Sequence, residues 1–184
     1  IKYLDFNNFD DLDKITEKTA CVLTEPIQSA PGIQMPEKYF LKELRKKCTE
    51  QGALLILDEI QSGFGRTGKL FAFEHFDITP DILVIAKSAG GGMPLGAFIS
   101  SPQIMQVFDE DHPLDGHAST FGGHPVSCAA AHASLKTILD NKLMDNVQKQ
   151  SKLLFDRLKR LRGIGLFTAL DLNADAKQAI ISGK

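Results

Sequence analysis

Short apolar runs alternate with longer amphipathic stretches along the chain, and that alternation predicts strands and helices in turn. Ala20-Cys21-Val22-Leu23-Thr24 reads as a strand closing at Glu25-Pro26. From Glu37 to Gln51 the apolar positions Phe40, Leu41, Leu44 and Cys48 recur at helical spacing, and Gly52 supplies a stop. Ala53 to Leu57 and Ile82 to Ala86 are continuous apolar runs, the pattern of strands buried on both faces. Leu95 to Ile99 makes a further strand. Between Gly122 and Leu139 the chain turns alanine-rich (Ala129, Ala130, Ala131, Ala133), which predicts a helix whose small side chains let a large neighbour approach closely. A second helix is predicted over 142–162, with Leu143, Val147, Leu153, Leu154, Leu158 and Leu161 facing inward. Gly163-Ile164-Gly165 would end it, and Leu166 to Leu170 would restart as a strand.

Strands alternating with helices argue for an α/β layer architecture around a mainly parallel sheet, with a domain boundary near residue 140. At 184 residues the chain can hold one core, or one domain and the start of another. A net charge of −2, with no basic stripe, argues against a nucleic-acid partner. No apolar run approaches the roughly 20 residues that span a bilayer, and Ile1 to Phe9 lack the pattern of a secretory leader, so a cytoplasmic protein is expected. Cys21, Cys48 and Cys128 stand alone in mostly apolar settings and read as reduced, buried or half-buried thiols. The histidines show no ligand spacing, so no metal site is expected. The chain starts at Ile1 and its last residues, Ala174 to Lys184, enter a helical pattern without a stop signal, which reads as a fragment.

Two strand ends carry the candidate chemistry. Lys87 follows the run Ile82 to Ala86 and precedes Ser88-Ala89-Gly90-Gly91-Gly92, so its amine is delivered beside a flexible turn and can form a Schiff base. Asp58-Glu59 closes the run Ala53 to Leu57. An amine and a carboxylate on neighbouring strand ends are what pyridoxal phosphate requires, one to hold the aldehyde and the other to keep the pyridine nitrogen protonated. Taken singly, each is as well explained as a solvated surface charge. Gly63-Phe64-Gly65-Arg66-Thr67-Gly68 also matches the dinucleotide-binding glycine pattern and nearly spells a phosphate loop. Five residues separate it from the strand, no long amphipathic helix follows, and Leu70 replaces the hydroxyl that would hold magnesium.

The stretch Leu55 to His75, then Pro80-Asp81-Ile82, then Ala86-Lys87 and the glycines, resembles the signature of class III pyridoxal-phosphate aminotransferases, the group of ornithine, acetylornithine and 4-aminobutyrate aminotransferases. Glu25-Pro26-Ile27-Gln28 is similar to the family's Glu-Pro-Val-Gln segment, and His117 to Pro125 to its His-Gly-Ser-Thr-Phe-Gly-Gly-Asn-Pro segment. The resemblance implies a fold type I enzyme in which residues 1–140 form part of the large cofactor-binding domain and 141–184 begin a smaller α+β C-terminal domain. It implies transfer of an amino group, often a terminal one, from an amino acid or amine to a 2-oxo acid. Lys87 would hold pyridoxal 5′-phosphate and shuttle the proton, with burial lowering its pKa. Asp58 would pair with the pyridinium nitrogen, Ile60 would pack on the ring face, and Gln61 would reach the phenolic oxygen. Glu25 would gate which carboxylate binds. Ser119 and Thr120 would serve the phosphate of the partner subunit in a homodimer.

The sequence departs from the family pattern at Ser29-Ala30-Pro31, where many relatives carry Gly-Glu, at Ala118 for glycine, and at His124 for asparagine. The family's upstream phosphate loop, ring-stacking aromatic residue and substrate-binding arginine have no counterpart in these residues. The 184 residues alone are therefore expected to be inactive. A racemase or aminomutase of the same family, or a non-catalytic fragment, would share every residue named.

Overall fold

The computed structural model describes residues 1–108 and 119–172. Four strands form one sheet in the order of the chain: β1 (Cys21–Thr24), β2 (Leu54–Asp58), β3 (Ile82–Ile85) and β4 (Ala97–Ser100). β1, β2 and β3 run parallel, with Val22 opposite Leu55, Ile56 opposite Ile82 and Asp58 opposite Val84. β4 returns antiparallel, pairing Val84 with Phe98. The crossover from β1 to β2 carries α1 (Phe40–Gln51). A short helix α2 (Pro102–Met105) follows β4, and α3 (Pro125–Asp140) and α4 (Leu143–Arg157) come after it.

α1 forms because Phe40, Leu41, Leu44 and Cys48 fall on one stripe, and all four are buried. Its C-cap is Gly52, at φ 70°, whose N–H reaches back to the Cys48 and Thr49 carbonyls. A side chain there would meet the steric penalty of a left-handed backbone, and glycine avoids it. The helix stripe packs on Leu55, Leu57, Leu83 and Ile85, with Leu12 and Ile15 from the N-terminal segment in the same core. Each leucine so enclosed contributes about 2 kcal/mol relative to an exposed one.

The other sheet face does not match the expected burial of both sides. Leu23 is 65% exposed, and Ile56, Asp58, Ile82 and Val84 are only half-buried. The β2-to-β3 connection, through Phe71, Phe73 and Phe76, packs into the same core as α1, so both crossovers cover one face of the sheet.

The second half differs from expectation in two ways. α4 ends at Arg157 and Leu158 is extended, so the predicted helix over 142–162 stops early. Leu161–Ile164 is instead a strand, β5, paired antiparallel with β6 (Phe167–Leu170). Gly165, at φ 62°, is the first residue of the two-residue turn between them, a place where glycine suits the hairpin twist. The inward face of α4 is Met144, Val147 and Leu154, whereas Leu143, Leu153 and Leu158 are exposed. The alanine-rich α3 does pack closely, but on one side only. A Cβ at Gly91 would stand 2.7 Å from the Ala130 carbonyl oxygen, while Ala129 and Ala133 face outward. Cys48 is buried as expected; Cys21 and Cys128 are exposed free thiols. Among the described residues no helix is long and apolar enough to cross a membrane.

Asp81 locks β2 to its neighbours. Its Oδ2 accepts the Leu55 N–H at 2.7 Å and meets Arg45 Nη1 of α1 at 2.6 Å, while its own N–H donates to the Leu55 carbonyl at 2.9 Å. Asp81→Ala leaves the Leu55 amide and Arg45 Nη1 without their acceptor, and the expected loss is about 2 kcal/mol in urea unfolding of the intact protein. A loss under about 0.5 kcal/mol, the range of ordinary surface changes, would show that the clamp contributes nothing.

Candidate active site

Alternation along β2 sorts its two acidic residues. Leu55 and Leu57 face the core, and Glu59 follows the same parity to a position only 1% exposed. Asp58 follows Leu54 and Ile56 to the open face. The Glu59 N–H donates to the Val84 carbonyl at 2.9 Å, carrying the ladder one residue past the strand. Asp58 is thereby held at the carboxyl end of a parallel sheet, where ligands of open α/β sheets bind. Its Oδ1 accepts the Ile60 N–H at 2.9 Å, and Oδ2 accepts no hydrogen bond among the described residues.

Lys87 lies at the corresponding end of β3. Continued extension would send its side chain along the parity of Leu83 and Ile85 into the core. Instead Lys87 adopts φ 45° and opens a 3-10 turn, Lys87–Gly90. A lysine in the left-handed region is strained, and such outliers gather where a side chain must be aimed. The side chain is exposed, contrary to the expected burial, and its ammonium has no partner among the described residues. The turn is braced from behind, because Gly91 sits against the α3 backbone.

Glu59 organises the loop that leaves β2. Its Oε2 accepts the Ser62 hydroxyl at 2.6 Å and the Ala72 N–H at 3.0 Å, and its Oε1 accepts the Phe73 N–H at 2.8 Å. One buried carboxylate thus closes residues 59–73 on themselves and sets the start of the Ala72–Phe76 turn. The glycines of the nucleotide-like motif lie inside that loop, and only the short 3-10 helix Ala72–Phe76 follows them, with no α-helix to offer its N-terminus to a phosphate. They serve packing: Gln148 of α4 donates to the Gly68 carbonyl at 3.0 Å, and Leu166 donates to the Arg66 carbonyl at 3.0 Å. A Cβ at Gly165 would come 2.4 Å from the Thr67 carbonyl carbon. Thr67 Oγ1 is 3.0 Å from His75 Nε2, and burial pushes that imidazole toward its neutral form.

Ile60 and Gln61 are half-buried just beyond Asp58. Gln61 Nε2 donates to the Ser29 hydroxyl, and Ser29 donates both its hydroxyl, at 3.0 Å, and its N–H, at 3.2 Å, to Glu25 Oε2. Glu25 and Gln61, expected in separate roles, are therefore joined. Ser119 and Thr120 are exposed, and among the described residues no hydrogen bond joins them to Lys87 or Asp58. His117 and Ala118 lie outside the described residues.

Sequence reading missed the parts played by Ser29, Glu59 and Asp81. The parity of Leu55 and Leu57 already points Glu59 inward. Nothing in the spacing announces Ser29.

The donor set fits pyridoxal phosphate. A carboxylate oxygen and an amine, both uncommitted among the described residues, stand at adjacent strand ends, with an apolar residue and an amide next to the carboxylate.

Comparison with known proteins agrees. The family described as aminotransferase class-III matches residues 4–182. Acetylornithine aminotransferase of Clostridium acetobutylicum is 43% identical, over 98% of this chain and 49% of its own. A structure of ornithine aminotransferase from Toxoplasma gondii, described with partial occupancy of PLP at its active site, superposes with a TM-score of 0.84 at 32% identity, covering 95% of this chain and 43% of that one. Acetylornithine aminotransferase from Elizabethkingia anophelis gives a TM-score of 0.83 at 35% identity, covering 97% and 48%. The chain spans about half the length of these relatives.

Glu59 makes stability depend on pH. Burial pushes its carboxyl above the ordinary value of 4.5, against the opposing pull of its hydrogen bonds to Ser62, Ala72 and Phe73. The folded state therefore holds the proton more tightly than the unfolded chain, and stability falls as pH rises from 4.5 through the raised folded value. Glu59→Gln carries no proton to release. Urea unfolding across that range should show the variant gaining on the wild type as pH rises; parallel curves would refute the assignment.

Proposed function

Because the chain belongs to the class III aminotransferase family, we propose that the protein carrying it transfers an amino group, often a terminal one, from an amino acid or amine to a 2-oxo acid, with pyridoxal 5′-phosphate as cofactor. The observation that carries this reading is the pair at the sheet's carboxyl end: Asp58 Oδ2 and Lys87 Nζ, on adjacent parallel strands and both uncommitted among the described residues. When bound, the cofactor supplies an electron-withdrawing ring that takes up the electron pair released as a proton leaves the substrate carbon.

The chain's own residues divide the remaining work. Lys87 Nζ would hold the cofactor by its aldehyde carbon and would be the base that carries the proton away from the substrate carbon. The 3-10 turn and the contact of Gly91 with α3 fix the backbone from which that amine projects. Asp58 Oδ2 holds the proton on the ring nitrogen, with Oδ1 kept in register by the Ile60 N–H. Ile60 packs on the ring face and Gln61 reaches the phenolic oxygen. Glu25 gates the carboxylate that enters.

Ser119 and Thr120 serve the phosphate of the partner subunit in a homodimer, a role their exposure in one chain supports. Residues 1–140 belong to the large domain and 141–184 open the small one. The hairpin β5–β6 forms a sheet of its own, which supports that division. We place the enzyme in the cytoplasm.

In the intact enzyme Lys87→Ala should abolish transamination together with the borohydride-trappable bond to cofactor. Asp58→Asn should keep the fold and the bound cofactor yet lower kcat/KM about a thousandfold, near 4 kcal/mol, because a neutral amide does not hold the ring proton. A trapped bond in Lys87→Ala, or an unimpaired rate in Asp58→Asn, would overturn these roles.

A further inference from the structure

Three successive residues at the tip of the β5–β6 hairpin dock on the loop that leaves β2. Gly165 stands against Thr67 with no room for a Cβ. The Leu166 N–H donates to the Arg66 carbonyl at 3.0 Å. Phe167 is buried in an apolar cluster with Ala72, Ile27 and Ile33. A two-stranded hairpin has little stability of its own, so its place is set by this contact more than by the pairing within it. The contact acts in both directions, and what seats the hairpin also seats the loop.

The cluster includes the residue through which the loop reaches the site. Ala72 is fully buried. Its N–H donates to Glu59 Oε2 at 3.0 Å, and the neighbouring Phe73 N–H donates to Oε1 at 2.8 Å. A buried carboxylate is costly without its donors, so Glu59 follows Ala72, and Asp58 is its neighbour in the chain. The same cluster holds Ile33 at φ 59°. A β-branched residue in the left-handed region is strained, and it persists only where the packing around it leaves no alternative. Phe167 supplies part of that packing from a distant part of the chain.

We propose that Phe167 is a positioning residue of the amino-transfer site: it seats Ala72, and through the Ala72 N–H and Glu59 it keeps Asp58 in register with the cofactor's ring nitrogen. This rests on the role given above to Asp58. With the phenyl ring removed, the cluster opens, the end of the loop over 59–73 loosens, and Asp58 is held less firmly at the strand end.

The test uses the intact protein with Phe167→Ala and Phe167→Leu, alone and combined with Asp58→Asn. Two quantities are read: hydrogen exchange of the Ala72 and Phe73 amides without cofactor, and kcat/KM per bound cofactor for a terminal-amine donor. Phe167→Ala should speed exchange of both amides at least about tenfold and lower kcat/KM by about tenfold or more, since a remote change that misplaces a reacting group by about 1 Å can cost up to about a hundredfold. Phe167→Leu keeps most of the apolar volume and should stay within about threefold of the wild type in both. In the Asp58→Asn background Phe167→Ala should lower kcat/KM no further, because residues that act as a unit are not additive. An equal loss in both backgrounds would mean a general loosening of the fold and would overturn the proposal, as would unchanged exchange or an unchanged rate in Phe167→Ala alone. An unimpaired rate in Asp58→Asn alone would instead remove Asp58 from the mechanism, and the role of Phe167 falls with it. If Phe167→Ala yields no holoenzyme, the milder Phe167→Val carries the same cycle, and the same outcomes decide it.

Discussion

The buried carboxylate of Glu59 is the constraint on which the rest of the site depends. Burying an ionisable group in a core is unfavourable unless its oxygens find donors, and here Ser62, Ala72 and Phe73 supply them. Meeting that need folds residues 59–73 into one closed loop. The loop then becomes the floor on which α4 and the β5–β6 hairpin rest, through Gly68, Arg66 and Thr67. Because Glu59 lies between Asp58 and Ile60-Gln61, fixing it also fixes them. The residues proposed to carry the chemistry are positioned by this buried neighbour.

A second constraint comes from the direction of the strands. Three parallel strands bring their carboxyl ends to one edge, so Thr24-Glu25, Asp58 and Lys87 all emerge there although they are far apart in sequence. At that edge the backbone departs from regular geometry where an amine must be delivered. Lys87 takes a left-handed turn that a strand's own alternation would not provide, and the tight contact of Gly91 with α3 holds it. Strain at the lysine and close packing behind it belong to one arrangement.

How much of this is legible in the sequence depends on whether the information is local. The strands at 53–57 and 82–86 appear within a residue of their expected places, because a continuous apolar run states its own identity. The two strand-end residues are legible for the same reason, and the glycine motif is set apart from nucleotide loops because no long amphipathic helix follows it. Leu158 and Leu161 continue the apolar spacing of α4 and so predict a longer helix than forms. The chain leaves the helix at extended Leu158, and the left-handed Arg160 and the glycines at 163 and 165 favour a hairpin instead. The burial that the family resemblance implies for Lys87 is not seen, because the turn carries it outward. The link from Glu25 through Ser29 to Gln61 is out of reach of sequence, since it joins residues 32 positions apart by hydrogen bonds that no periodicity encodes.

The central claim is that Asp58, held at the end of β2 with one oxygen uncommitted among the described residues, keeps the ring nitrogen of pyridoxal phosphate protonated while Lys87 holds the aldehyde. ¹⁵N NMR of the intact holoenzyme loaded with cofactor labelled at the ring nitrogen reads that proton directly. The account predicts the chemical shift of a protonated pyridinium across the neutral pH range, lost when Asp58 is changed to Asn. A shift characteristic of a neutral pyridine nitrogen in the unaltered enzyme would contradict it.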